Sequence, residues 1–212
     1  MDVVIAGGHG QIALRLAELL SARGERVRGL IRNPEQAADL EERGAEPVIC
    51  DMEAEEDLAP FVEGADAIVF AAGAGPGSGP ERKRTVDLGA AVKLIDAAKR
   101  LGIDRYVMVS AIGASDPEGS SEAMRPYYDA KAEADAALAG SGLAFTIVRP
   151  GALTNDPGTG HVRAGQDIGT GSITRDDVAA TIAAVLAAPN AIGVTVDLLE
   201  GDKPIEDAVA AL

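Results

Sequence analysis

Apolar residues fall along this chain in short, dense runs separated by stretches with a helical repeat. The runs Asp2–Ala6, Arg26–Ile31, Glu46–Cys50, Ala67–Ala71, Tyr106–Ser110 and Ala144–Arg149 are nearly continuous in apolar side chains rather than alternating. Strands of that kind are covered on both faces, as in a parallel sheet between two helical layers. Between them, Gln11–Arg23 sets Ile12, Leu16, Leu19 and Leu20 on one stripe and stops at Gly24. Pro34–Arg43 is short and charged and ends at Gly44. Thr85–Leu101 is long, with Val86, Leu88, Val92, Leu94 and Ile95 at helical spacing, and ends at Gly102. Pro126–Ala139 opens on a proline and ends at Gly140. The strand–helix alternation predicts an α/β fold with an open, doubly wound parallel sheet and helices on both faces.

After Gly151 the pattern changes. Residues 151–172 are rich in Gly, Thr, Asp and Pro and predict a long loop, followed by a helix over Thr174–Ala188, a strand over Val194–Leu199 and a terminal helix from Pro204. We read residues 1–212 as one domain, with residues 151–212 forming a small C-terminal lobe on the substrate side. Gly73–Pro80 and Gly151–Gly171 both follow strand C-termini, the rim where open α/β sheets bind ligands. They are expected to be mobile without ligand and to frame a substrate pocket.

The first strand runs straight into Gly7-Gly8-His9-Gly10-Gln11-Ile12-Ala13, a G-x-x-G-x-x-A turn opening a helix. Gly7 permits the tight turn, and Gly10 lets backbone approach a pyrophosphate, which free N–H groups and the dipole of a helix N-terminus favour. Ala13 allows the helix to sit close to the strand. A strand before and a helix after are the context this motif needs, so a Rossmann-type dinucleotide site is expected. His9 stands either against phosphate or on an exposed turn. At the end of the second strand, where an acid would bind a ribose 2′-hydroxyl, Arg32 stands with no acid near it in sequence. A guanidinium there suits a 2′-phosphate, so NADP(H) is preferred, with NAD(H) as the alternative. Asp51, just past the third strand, is placed to accept from an adenine amino group or simply to start a loop.

Charge narrows the partners. Nineteen Lys and Arg against 34 Asp and Glu give a net charge of −15, which repels phosphate backbones, so no nucleic-acid partner is expected. Arg82-Lys83-Arg84 reads as a solvated basic face. No membrane span and no secretory leader are expected: the run Val3–Ala6 lacks a basic prefix and stops at glycine. The lone Cys50 allows no internal disulfide and points to a reducing, cytoplasmic setting. His9 and His161 have no ligand-spaced partners, so no metal site is expected. The remaining partner is a small-molecule substrate, with the chain a monomer or homodimer.

Taken in order, Gly7–Ala13, Arg32-Asn33-Pro34, Cys50-Asp51-Met52, Ala71-Ala72-Gly73, Val86-Asp87, Val109-Ser110, Tyr127 with Lys131, Arg149-Pro150-Gly151 and Arg175–Ala179 resemble the atypical short-chain dehydrogenase/reductases. Their NAD(P)-binding relatives include flavin/biliverdin-IXβ reductase and the nitrogen-metabolite-repression regulator. The resemblance implies that Gly7, Gly10 and Ala13 hold the pyrophosphate and Arg32 the 2′-phosphate. Asp51 and Met52 would border the adenine, Ala71, Ala72 and Gly73 would line the cofactor, and Pro150 would pack near the nicotinamide. It implies Tyr127 as proton donor and acceptor, with Lys131 lowering its pKa and touching the ribose. Spacing alone leaves Tyr128, three residues from Lys131, on an adjacent position of the same helix. Ser110 fits as a cofactor-side residue or as a donor to a substrate oxygen. The hydroxyl that many relatives carry just beyond it is replaced by Ala111 and Ile112, which implies a slow enzyme. The expected activity is NADP(H)-dependent oxidoreduction of a small carbonyl, alcohol or quinone-like substrate. The alternatives are a non-catalytic NADP(H) redox sensor and a nucleoside-diphosphate-sugar epimerase-like enzyme.

Overall fold

The structure, a computed structural model, describes every residue except Pro76, so part of the Gly73–Pro80 segment lies outside the described residues. Among the described residues, strands and helices alternate as far as the sixth strand, after which strands gather: β1 (Asp2–Ala6), α1 (Gln11–Ala22), β2 (Arg26–Ile31), α2 (Ala37–Glu42), β3 (Glu46–Ile49), α3 (Ala59–Val62), β4 (Ala67–Phe70), the single turn α4 (Pro80–Arg82), α5 (Ala91–Leu101), β5 (Arg105–Val109), α6 (Arg125–Ala139), β6 (Ala144–Pro150), β7 (Ala152–Thr154), β8 (His161–Gly165), β9 (Ser172–Thr174), α7 (Arg175–Leu186), β10 (Val194–Glu200), β11 (Lys203–Pro204) and α8 (Ile205–Ala210).

Nine strands form one sheet in the order β11-β8-β10-β6-β5-β4-β1-β2-β3. All neighbours from β10 through β6, β5, β4, β1 and β2 to β3 are parallel, and β8 and β11 add antiparallel strands at one edge. This is a Rossmann-type α/β fold. Both faces of the central strands are covered, which is why their sequences do not alternate. Val3 and Ile5 of β1 pack with Leu16 and Leu20 of α1 and Ile182 of α7. Val4 and Ala6 face the opposite way, with Phe70, Leu94 of α5 and Leu138 of α6. The outer edges are β3, which contains Pro47, and the two-residue β11, which contains Pro204.

Two sequence expectations change. Residues 151–172 do not form a plain loop: they hold β7, which pairs in parallel with β9, and β8, which pairs with β10 and β11 in the main sheet. The loop between β7 and β8 is pinned to the start of α7, because Asp177 accepts from the N–H groups of Thr159 at 2.9 Å and Gly160 at 2.8 Å. Nor is Thr85–Leu101 one even helix. The chain turns at Pro80, passes through wide π-type turns over Lys83–Ala90, and tightens into α5. Such turns are rare and gather at functional sites. Here they line the cleft described next.

Candidate functional site

The chain winds outward from β1 to β3, then returns across β1 to β4. That reversal leaves a crevice between the C-terminal ends of β1 and β4. At its floor Gly7 has φ +79°, and a Cβ there would stand 2.7 Å from Ala72 Cα, so only glycine lets the two strand ends meet. Gly10 caps α1. The first helical bond runs from Leu14 N–H to the Gly10 carbonyl, leaving the N–H groups of Gln11, Ile12 and Ala13 without helical acceptors. A cleft of about 360 Å³ extends from here, lined by Gly7, His9, Gly10, Arg32, Asp51, Met52, Ala71, Ala72 and Gly73, nine of the residues expected at the cofactor.

The others have different surroundings. Gly8 turns onto β2, giving its N–H to the Leu30 carbonyl, and a Cβ there would lie 2.8 Å from Gly29 Cα, so its contribution is packing. The Ile12 side chain is in the core and Gln11 is exposed, which leaves their backbone N–H groups as what they can offer a ligand. Pro150 is buried at the end of β6, beside Leu198. His9 Nε2 lies 2.6 Å from Asp39, and Asp51 caps its own turn by accepting from the Glu53 N–H. Cys50 lines the cleft too, and burial pushes its thiol up to about 12, so it stays neutral.

The far end of the cleft departs from expectation. An acid does stand near Arg32: Glu53 lies 3.6 Å from its guanidinium. Arg82, expected on a solvated face, lines the cleft and donates to the same carboxylate from Nη2 at 3.0 Å and Nε at 3.2 Å. Neither contact is legible from spacing, because the end of β2, the turn after β3 and α4 meet only in the fold.

On the β4–β5 side, Lys131 and Tyr127 come together. The Lys131 ammonium is 5.9 Å from the centre of the Tyr127 ring. Tyr128 instead packs over Gly113, where an added Cβ would touch its ring at 2.4 Å. Geometry therefore separates two tyrosines that spacing left open. Lys131 is sealed from water and forms an ion pair at 3.2 Å with Asp87, itself fully buried. Its Nζ also donates to the carbonyls of Val109 at 3.1 Å and of Ala72, a residue lining the cleft, at 3.4 Å. The expected pKa direction is corrected: the Tyr127 phenol is raised, not lowered. Burial is the main cause, helped by Asp87, Tyr128 and Asp135, and the Lys131 charge does not offset it. Ser110 is buried and gives its hydroxyl to Asp135 at 2.9 Å, and Arg149 donates to the same oxygen at 2.8 Å. Asp135 is also raised, mainly by burial. It was open to discovery in sequence, since it lies four residues beyond Lys131 and eight beyond Tyr127 on one helix. Among the described residues, no group of three or more His, Cys, Asp or Glu could hold a metal ion, and no helix is long and apolar enough to cross a membrane.

Known proteins fit this geometry. A family described as NAD(P)H-binding matches residues 7–189. A Bacillus subtilis protein, "Uncharacterized sugar epimerase YhfK", is 45% identical over 214 residues, with 100% of each chain covered. A solved Bacillus halodurans structure, provisionally named as an NAD-dependent epimerase/dehydratase, superposes with a TM-score of 0.96 at 40% identity, covering 100% of both chains. The Lactococcus lactis oxidoreductase ylbE is 30% identical, with a TM-score of 0.87 over 100% of this chain and 96% of that one. On this match and these full-length likenesses, the chain belongs to the NAD(P)H-binding family of Rossmann-type proteins.

Proposed function

We propose that this chain is an NADP(H)-dependent oxidoreductase reducing a small carbonyl or quinone-like substrate. The observation that carries the reading is one cleft with free helix N–H groups at one end, arginine at the other, and Lys131, bonded to the Ala72 carbonyl of its wall, set beside the half-buried Tyr127. Those donors fit the anionic groups of a dinucleotide: N–H groups of Gln11, Ile12 and Ala13 for the pyrophosphate, Arg32 for a 2′-phosphate. When bound, the nicotinamide would supply hydride. The protein's own part is to hold the substrate and give it a proton. In this reading Tyr127 gives the proton: a phenol carries it at neutral pH even in water, and burial holds it there. Lys131, fixed by Asp87 and two carbonyls, favours the phenolate left behind. An epimerase cycle, the wording carried by the Bacillus subtilis relative, would start with Tyr127 removing a hydroxyl proton, and its raised pKa works against that step.

One observation favours a non-catalytic sensor as the second reading: the hydroxyl of Ser110 is committed to Asp135 instead of a substrate oxygen. Titration with NADPH and NADH, followed by nicotinamide fluorescence, tests the cofactor. NADPH is expected to bind more tightly, and Arg32→Ala to remove most of that preference; equal affinities in the unaltered protein would sink the assignment. NADPH oxidation with quinones, aldehydes, enones and flavins tests the chemistry. Tyr127→Phe is expected to slow turnover by roughly 10²- to 10⁴-fold with NADPH affinity little changed. No turnover with any of them favours the sensor.

A further inference from the structure

Glu53 is an odd neighbour for an arginine meant to hold phosphate, and its surroundings explain it. Its backbone is fixed. Lys93, from α5, donates from Nζ to the carbonyls of Met52 at 3.0 Å, Glu53 at 3.1 Å and Glu55 at 2.6 Å, clamping the turn after β3. Its side chain then reaches into the cleft and gathers donors from three separate elements. Oε2 accepts from Nε and Nη2 of Arg82 on α4 and lies 3.6 Å from Arg32 at the end of β2. Oε1 accepts from the Thr85 hydroxyl, at 2.8 Å, in the π-type turns. Two guanidinium groups and a hydroxyl converging on one carboxylate form a donor set suited to a phosphate monoester, which carries more charge and more acceptor oxygens than the carboxylate. Burial would raise the Glu53 carboxyl, but the Thr85 and Arg82 hydrogen bonds and the Arg82 charge bring it below the usual range, so it is anionic at neutral pH.

We propose that Arg82 and Thr85 form the second half of the 2′-phosphate site, and that Glu53 is an internal stand-in for that phosphate, which must swing off the arginines before NADPH can seat. This rests on the dinucleotide reading of the cleft. NADH, lacking the 2′-phosphate, would leave the carboxylate on its arginines. NADPH must displace it. The turn is held by Lys93 through backbone, so only the Glu53 side chain has to move. Glu53 therefore narrows the preference that Arg32 and Arg82 create, and the chain carries its cofactor selectivity as a competition between its own anion and the ligand's.

The test compares dissociation constants for NADPH, NADH and the small probe adenosine 2′-monophosphate in the full-length protein, each variant first checked for folding by circular dichroism. Glu53→Gln keeps the shape and removes the charge. It is expected to raise the NADPH-to-NADH affinity ratio, and affinity for the probe, about tenfold, the worth of about one charge-assisted hydrogen bond. Arg82→Met is expected to lower both by about the same factor. If Arg82→Met does not fold, Thr85→Val is the milder substitute, with a smaller loss in the same direction. A ratio unchanged in Glu53→Gln, or unchanged in the folded Arg82 or Thr85 variant, overturns the proposal. If Arg32→Ala abolishes the preference while those variants leave it intact, this inference alone falls. If the unaltered protein binds neither dinucleotide, the cofactor reading falls with it.

Discussion

An ammonium group shut away from water needs a partner for its charge and acceptors for its protons, and Lys131 has both. Asp87 supplies the charge, and the carbonyls of Ala72 and Val109 take hydrogen bonds. Asp87 is in turn held by the Ala74 N–H, which donates to it at 3.1 Å, so the aspartate ties the segment after β4 to Lys131 of α6. Removing one member of a buried pair leaves the other uncompensated, at a cost of about 3–5 kcal/mol. Asp87→Asn is therefore expected to lower unfolding free energy by about that much in urea titrations, and a loss under 1 kcal/mol would mean water reaches Lys131. At this scale sequence reading recovers what only one residue type can do. Gly7 is legible because its positive φ and its contact with Ala72 admit no side chain. Tyr127 and Lys131 are legible as a spaced pair, but the direction of the tyrosine's pKa is not, since it follows from burial and from the charges of Asp87 in the π-type turns and Asp135 on α6. Glu53 and Arg82 are 29 residues apart, and nothing in either stretch points to the other.

Elements show a similar division. The boundaries of β1 and β2 are readable to the residue, because each is an apolar run closed by glycine or a charge and buried on both faces. β7, β8 and β9 are not, because they lie in a stretch rich in Gly, Thr and Asp and each pairs with a partner distant in sequence. What anchors the β7–β8 loop is the start of α7. Thr174 caps that helix by accepting from the Asp177 N–H at 3.0 Å, and its hydroxyl donates back to the Asp177 carboxylate at 2.9 Å. The same carboxylate takes the Thr159 and Gly160 N–H groups, so cap and loop share one acceptor. Asp177→Ala is expected to cost about 3 kcal/mol, combining a lost cap interaction with lost charge-assisted bonds. Hydrogen exchange of the Thr159 and Gly160 amides should accelerate by far more than that of the β1 and β4 amides. Equal acceleration everywhere would show that the loop is not specifically held by this side chain.

The whole molecule carries a net charge of −15, and compact packing brings that charge together. Raising sodium chloride from 10 to about 200 mM shortens the screening length from tens of ångströms to under ten. It should raise stability by about 1 kcal/mol, or about 2–4 °C in Tm for a chain of this size. A Tm that falls with salt would mean that the ion pairs outweigh the general repulsion. Fold class is the property most legible at this scale, because a continuous apolar pattern permits few arrangements. The path of the last 60 or so residues back into the sheet is least legible, since it depends on pairings that local pattern does not record. Cys50 N–H points inward to the Ile31 carbonyl, so by the two-residue repeat Val48 also faces β2 and Pro47 faces outward. The proline thus deletes a donor from the open side of β3, and at the other end Lys203-Pro204 is too short to guide a further strand. A partly unfolded neighbour therefore meets only a short, interrupted ladder at either rim, which slows growth of the sheet into fibres.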